Sequence, residues 1–143
     1  MSTLDELAIR ALVARYIDAV NRYHADDWIA TWSEDATWDL LGMEVTGREA
    51  ILQTWQGAMG GFEFALMMLN SGTLEVDGQQ ASGRWYLTEH LKTKDGDSSM
   101  VLGVYDDEYS CESGSWLFTK RRYNILYRGP QDLSGDYAPY PGA

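Results

Sequence analysis

The sequence predicts an α+β domain in which helices near the N-terminus cover one face of an antiparallel sheet. Two observations predict it. Apolar residues recur at helical spacing before Gly61, and after Gly61 long apolar runs are separated by turn signals such as Asp77-Gly78 and Asp95-Gly96. The length of 143 residues fits one domain over residues 1–143, and the chain contains no internal repeat.

The helices come first. Residues 4–24 place apolar side chains at three- and four-residue intervals, which predicts the first helix. Asp26 and Asp27 are typical of the acidic first turn of a second, short helix, which we expect to end at a turn over residues 33–35. Residues 36–41 read as a short strand. A third helix begins at Gly47, and the glycines of residues 57–61 end it.

Four long strands follow, over residues 62–76, 80–92, 98–110 and 116–127. The tail from about Gly129 holds all three prolines and three glycines, which predicts irregular structure. Period-2 alternation on the second long strand puts Glu89 on the same, inward face as Trp85 and Leu87. A carboxyl group among such neighbours is expected to have a raised pKa, which suits it to proton transfer. The alternative is an ion pair with Arg121 or with another strand residue.

Composition excludes several classes of protein. The chain has 11 Lys and Arg against 22 Asp and Glu, a net charge of −11, which disfavours binding to nucleic acid or to a membrane surface. Cys111 is the single cysteine, and no Cys or His spacing is that of a metal site, so we expect neither a metal nor another cofactor. The first ten residues lack the pattern of a signal peptide, which predicts a cytoplasmic location.

Several segments resemble one known family. The phrases DDWIATWSEDATW, GREAI, LEVDGQQASGRWYLTEH and LGVYDDEYSCESGSWLFTKRRYN occur in an order similar to that of the SnoaL-like group of the nuclear transport factor two-like superfamily. The resemblance implies a cystatin-like conical half-barrel, a curved sheet wrapped around the N-terminal helices. The same frame serves dehydratases, dehydrochlorinases, ketosteroid isomerases and the small subunits of ring-hydroxylating dioxygenases, so the fold alone does not give the activity.

TLDELAIRAL, YDDEY and WLFTKR are most similar to the dehydrochlorinase and dehydratase branch. That branch pairs an Asp at the end of the first helix with a His on the first long strand, and often adds an Arg on the last strand. Arg121 matches the Arg, His24 stands at the acidic position, and residues 67–69 contain no His. The resemblance also sets the register in which Val101, Gly103 and Tyr105 face inward, together with Thr119, Arg121, Tyr123 and Ile125.

The catalytic candidates are His24, Glu89, Arg121, Tyr105 and Asp27. His24 shares a helix stripe with Tyr16 and Val20 and could move a proton, although it could equally cap the helix C-terminus. Asp27 could supply the missing acid or simply be an N-cap group. Arg121 and Tyr105 could hold a developing oxyanion, whereas the alternative for the tyrosines is ordinary aromatic packing.

An apolar and aromatic wall suits a flat hydrophobic ligand, and the alternative is that the same residues fill the core. The predicted substrate-binding residues are Tyr16, Val20, Trp38, Met67, Leu69, Trp85, Leu87, Val101, Tyr123 and Ile125. These observations together predict a lyase, dehydratase or isomerase that needs no cofactor and acts on a small hydrophobic, aromatic compound. The alternatives are a non-catalytic binding protein and a structural subunit. The outer-face residues Tyr86, Thr88 and His90 suggest a homodimer or homotrimer.

Overall fold

A computed structural model describes residues 3–133, 135–139 and 141–142. Three helices precede most of the sheet, and the four longest strands follow one another directly. The elements are α1 (Thr3–Asn21), α2 (Ala25–Ile29), β1 (Trp32–Leu40), β2 (Met43–Thr46), α3 (Arg48–Met59), β3 (Phe62–Asp77), β4 (Gln80–Thr93), β5 (Ser98–Ser110), β6 (Leu117–Gly129) and β7 (Asp136–Tyr137).

One curved, unclosed sheet contains all the described strands, in the order β2-β1-β6-β5-β4-β3, with β7 on β6. Strands β3 to β6 form the predicted antiparallel meander, which the tight turns between them allow. β1 departs from the antiparallel pattern, because it pairs with β6 in parallel. The predicted α+β class, with helices against a curved sheet, is confirmed.

Two local predictions were wrong, and one strand was missed. The polar residues 33–35 lie inside β1, at an irregularity between Trp32 and Thr37 in its pairing with β6, and not in a turn. β2 was not predicted. It forms because Leu41 and Gly42 both have positive φ, 56° and 90°, as a tight hairpin turn requires. The tail is also not wholly irregular, since its short β7 pairs with β6.

Helix α1 lies in the concave side of the sheet. Its buried stripe follows the predicted helical spacing and consists of Ile9, Leu12, Val13, Tyr16, Ala19 and Val20. At its end the Asn21 amide accepts a hydrogen bond from Met67 N and donates one to Met67 O, both at 2.8 Å, which ties α1 to β3. None of the helices formed by the described residues is long and apolar enough to span a bilayer.

An aromatic cluster fills the space between α1, α2, α3 and the sheet. Trp28 stacks on Trp55 with ring centroids 4.5 Å apart, and it also contacts Tyr16, Trp32 and Trp38. Such ring contacts stabilise the core beyond the area they bury. Three of its members, Tyr16, Trp38 and Trp55, also line the cavity described next.

Candidate active site

An apolar cavity of about 210 Å³ opens between the concave face of the sheet, α1 and α3. Its aromatic wall consists of Tyr16, Trp38, Trp55, Phe62, Tyr105 and Tyr123. Two charged residues also contribute to the wall, Glu89 and Arg128. An apolar cavity with a few polar groups is the usual form of a small-molecule site.

Glu89 lies on the cavity wall, as its place in the alternation of β4 predicts. Burial raises the pKa of the Glu89 carboxyl above its ordinary value, while the hydrogen bond from Tyr123 and the charge of Arg128 lower the pKa in part. The predicted alternative, an ion pair between Glu89 and Arg121, does not form. Glu89 is therefore a carboxyl group that keeps its proton to a higher pH than an exposed carboxyl does, and that can both take up and release it.

The Tyr123 hydroxyl donates a hydrogen bond to Glu89 Oε2 from two strands away. Gly103 on β5 lies between them, and a Cβ built there would stand 2.4 Å from the Tyr123 hydroxyl oxygen. Only a glycine leaves room for the phenol ring to cross. Burial and the charge of Glu89 raise the pKa of Tyr123, so it stays a neutral donor.

Tyr105 is part of the cavity wall. Its hydroxyl accepts a hydrogen bond from Trp38 Nε1 at 3.2 Å and shares another, also 3.2 Å, with the Tyr16 hydroxyl. Burial and the neighbouring Tyr16 raise the pKa of Tyr105 well above its ordinary value. When Tyr16 is the donor in the shared bond, the Tyr105 proton is available to a ligand.

Arg121 lies behind the cavity wall, although it was predicted to hold an oxyanion directly. Its side chain is 1% exposed, and it donates to both oxygens of Asp107, at 2.7 and 3.0 Å. Its guanidinium carbon lies 3.7 Å from the Tyr105 ring centroid and 4.4 Å from that of Tyr16. The two rings separate Arg121 from the cavity, so its contact with a ligand is indirect.

The carboxylate of Asp107 ends a buried hydrogen-bonded chain. Trp85 Nε1 donates to the Tyr109 hydroxyl at 2.7 Å, and that hydroxyl donates to Asp107 at 2.7 Å. Burial lowers the pKa of Arg121, but the attraction of Asp107 outweighs burial and leaves that pKa above its ordinary value. The guanidinium is charged, and Asp107 is its counter-ion.

His24 and Asp27 lie outside the cavity. Tyr23 has a φ of 56°, which turns the chain at the end of α1, and His24 becomes the N-cap of α2. His24 Nδ1 accepts a hydrogen bond from the Asp27 backbone N at 3.2 Å, and the Asp27 carboxylate pairs with Arg22 at 2.9 Å. His24 thus caps a helix, which was the alternative to a catalytic role. The helix that it caps is α2, whereas the alternative named the C-terminus of α1.

The predicted substrate-binding residues divide into two groups. Tyr16, Val20, Trp38, Met67, Val101, Tyr123 and Ile125 line the cavity. Leu69, Trp85 and Leu87 do not line it. Trp85 and Leu87 are buried in the core, and the Trp85 indole is held by Tyr109. Thr119 was also predicted to face inward, but a bulge between β5 and β6 puts Phe118 in the core instead.

Two charged residues of this region were not predicted, Asp107 and Arg128. Asp107 shares the inward face of β5 with Tyr105, so strand alternation could have identified it. Arg128 gives no such signal. Leu126 is an unpaired, extra residue in the pairing of β6 with β5, and it reverses the alternation so that Arg128 stands opposite the inward-facing Val101.

A second, larger groove, of about 620 Å³, is lined mainly by polar residues, among them Glu34, Arg48 and Glu112. Thr119, which was predicted to face inward, lines this groove, but none of the predicted catalytic or substrate-binding residues does. The smaller apolar cavity is therefore the candidate site. Within the described ranges, no three His, Cys, Asp or Glu side chains are grouped as metal ligands would be.

Residues 1–122 match the family model of the SnoaL-like domain. The chain belongs to the SnoaL-like family. The match runs from α1 into the first half of β6, and so includes Glu89, Tyr105 and Arg121 but ends before Tyr123 and Arg128. A comparison with curated proteins finds no match.

Solved structures of the same fold extend over nearly the whole chain. LinA is 26% identical with a TM-score of 0.83, over 99% of this chain and 100% of its own. A candidate aromatic ring hydroxylase from Novosphingobium aromaticivorans is 25% identical with a TM-score of 0.81, over 88% of this chain and 92% of its own. Hexachlorocyclohexane dehydrochlorinase LinA-type3 from Novosphingobium barchaimii is 23% identical with a TM-score of 0.82, over 98% and 100% respectively.

Proposed function

We propose that this SnoaL-like protein is a lyase, of the dehydratase type, or an isomerase that moves a proton on a small hydrophobic, aromatic compound. The observation that carries the proposal is a single carboxyl group, Glu89, in an otherwise apolar and aromatic cavity, with a raised pKa and a hydrogen bond from Tyr123. A base of this kind is strengthened by its surroundings and works without a cofactor.

In the proposed reaction, the ionised Glu89 carboxylate takes a proton from a carbon next to an electron-withdrawing group. The electron pair of the broken C–H bond moves onto the oxygen of that electron-withdrawing group. The neutral Tyr105 hydroxyl donates a hydrogen bond to the oxyanion that forms. In a dehydration the electron pair then forms a C=C bond and expels hydroxide, to which Glu89 returns the proton as water leaves. In an isomerisation Glu89 returns the proton to another carbon.

Arg121 acts in this proposal through Tyr105. Its guanidinium lies 3.7 Å from the centroid of the Tyr105 ring and is fixed there by Asp107. A cation over the ring face holds the phenol in place and makes its hydroxyl a better donor. Arg121 is therefore a positioning residue.

Two of the similar structures support the choice of chemistry and ligand. LinA is 26% identical to this chain, and a protein named LinA-type3 is described as a hexachlorocyclohexane dehydrochlorinase. Dehydrochlorination also removes a proton and a leaving group from adjacent carbons. The 25% identical protein is described by an activity on aromatic rings. The aromatic walls of the cavity, including Trp38 and Trp55, suit a ligand of the same kind.

Proton abstraction can be tested without knowing the natural substrate. Aryl ketones with acidic C–H bonds are incubated with the protein in D₂O, and NMR follows the exchange of these hydrogens. We expect the wild-type protein to accelerate exchange and Glu89→Gln to lose about 10²- to 10⁴-fold of this rate. Glu108→Gln, an exposed change on β5, is the matched control. Exchange by Glu89→Gln at the wild-type rate, or none by the wild type, contradicts the proposal.

A non-catalytic binding protein is the second candidate. The observation that favours it is the position of the two histidines, since His24 caps α2 and His90 contacts Gln131, and neither lines the cavity. The cavity therefore lacks the imidazole that the resemblance to the dehydrochlorinase branch implies. Retention of an aromatic ligand through purification, without C–H exchange or product, would select this candidate.

A further inference from the structure

Arg128 and Glu89 lie on one row across the concave face of the sheet. In the strand register, Met67 pairs with Glu89, Glu89 with Val101, and Val101 with Arg128. Residues at paired positions point to the same face, and neighbouring strands are about 4.8 Å apart. The α-carbons of Glu89 and Arg128 are thus separated by two strand spacings, about 10 Å.

The inward position of Arg128 depends on a bulge. Gly103 pairs with Ile125, but Leu102 pairs with Tyr127, so Leu126 has no partner on β5. Without that extra residue, alternation from Tyr123 and Ile125 would put Arg128 on the outer face. Bulges commonly redirect a side chain at a binding site.

Arg128 is an exposed cation on an apolar cavity wall. Among the described residues that line the cavity it is the single cation, in a chain whose net charge is −11. The other arginines near the site are paired, Arg121 with Asp107 and Arg122 with Asp39. No ion pair among the described residues involves Arg128, although Asp136 on β7 is its register partner. Its charge also lowers the pKa of Glu89, so the two groups share one electrostatic environment.

We infer that Arg128 binds a carboxylate group of the substrate, so that the ligand class is an aromatic carboxylic acid. Its guanidinium presents paired N–H donors, which match the two oxygens of a carboxylate. The ring then lies among Trp38, Tyr105 and Tyr123, and the reacting carbon faces Glu89, whose α-carbon is about 10 Å from that of Arg128. Because the net charge of the protein repels anions, a local cation is needed to select such a ligand. This inference names the substrate class of the proposed enzyme and rests on the same cavity.

A binding experiment tests the inference separately from catalysis. Isothermal titration calorimetry compares 1-naphthoate with 1-naphthamide, a neutral compound of nearly the same shape. We expect the wild-type protein to bind naphthoate about three- to tenfold more tightly, as a partly exposed charge pair permits, and Arg128→Gln to remove this preference. Lys120→Gln, on the outer face of β6, removes the same charge from the chain and should preserve the preference.

Glu89→Gln separates the two proposals. Because this change removes a negative charge from the cavity, the variant should bind naphthoate at least as tightly as the wild type, whatever its effect on turnover. No naphthoate binding, equal binding of the two probes, a preference that survives Arg128→Gln, or an equal loss in Lys120→Gln overturns the inference. None of these outcomes depends on whether Glu89 abstracts a proton.

Discussion

The hydroxyl of Tyr123 reaches Glu89 by crossing over Gly103 on the intervening strand. The glycine therefore controls the environment of the carboxyl group. In Gly103→Ala the new methyl group displaces the phenol, because its position is 2.4 Å from the Tyr123 oxygen. The Tyr123 hydrogen bond lowers the pKa of Glu89, so its loss should raise that pKa further. Carboxyl ¹³C NMR titration measures the change.

Two comparisons interpret that titration. Tyr123→Phe removes the same hydrogen bond without adding a methyl group and should shift the pKa of Glu89 in the same direction. Gly57→Ala, on α3, adds a methyl group to open space and should leave the titration unchanged. An unshifted Glu89 pKa in both Gly103→Ala and Tyr123→Phe would show that the hydrogen bond does not influence the carboxyl group.

The stability of the protein should depend on pH through Glu89. Its pKa is raised in the folded state, chiefly by burial, so between the unfolded and folded pKa values the folded state binds more protons. Glu89 therefore costs stability as pH rises through this window, and the cost is complete above the folded pKa. The denaturation midpoint of Glu89→Gln should be higher than that of the wild type, and this difference should be larger at pH 8 than at pH 4. A gain that is equal at the two pH values contradicts this expectation.

The buried pair of Asp107 and Arg121 should be essential for folding stability. Asp107→Asn leaves the guanidinium, 1% exposed, without a counter-ion, and should lower the free energy of unfolding by about 3–5 kcal/mol. Urea denaturation followed by tryptophan fluorescence measures this loss. Asp106→Asn, on the next residue of β5 and in a surface pair with Arg84, should change the midpoint little. Equal effects of the two changes would contradict the assignment.

The contact between Asn21 and Met67 should stabilise the junction of α1 with β3. Asn21→Ala removes two hydrogen bonds of 2.8 Å and leaves backbone groups of Met67 unsatisfied, which should cost about 1–3 kcal/mol of unfolding free energy. Asn70→Ala on β3 is the control, because its amide donates a hydrogen bond to the Thr88 side chain at the surface. If Asn21→Ala lost no more unfolding free energy than Asn70→Ala, water would be replacing the Asn21 amide.

Strand alternation determined much of the candidate site from sequence. The period of two residues is a local property of an extended chain, so it identified the inward face of β4 with Glu89. The inward face of β5, with Val101 and Tyr105, came instead from the register that the family resemblance implies. The meander followed in the same way from the turn signals at Asp77-Gly78 and Asp95-Gly96, which depend on a few adjacent residues. The motif segments, read along the chain, also identified the family.

The tertiary structure decided what depends on contacts between distant residues. The left-handed turn at Tyr23 took His24 out of the cavity, and the bulge at Leu126 brought Arg128 into it. The sequence offered Glu89 as a partner of Arg121, whereas the register between β5 and β6 puts Asp107 beside Arg121 instead. Local periodicity determines which side chains of a strand share a face. Pairing across the sheet determines where a bulge interrupts that alternation and reverses it.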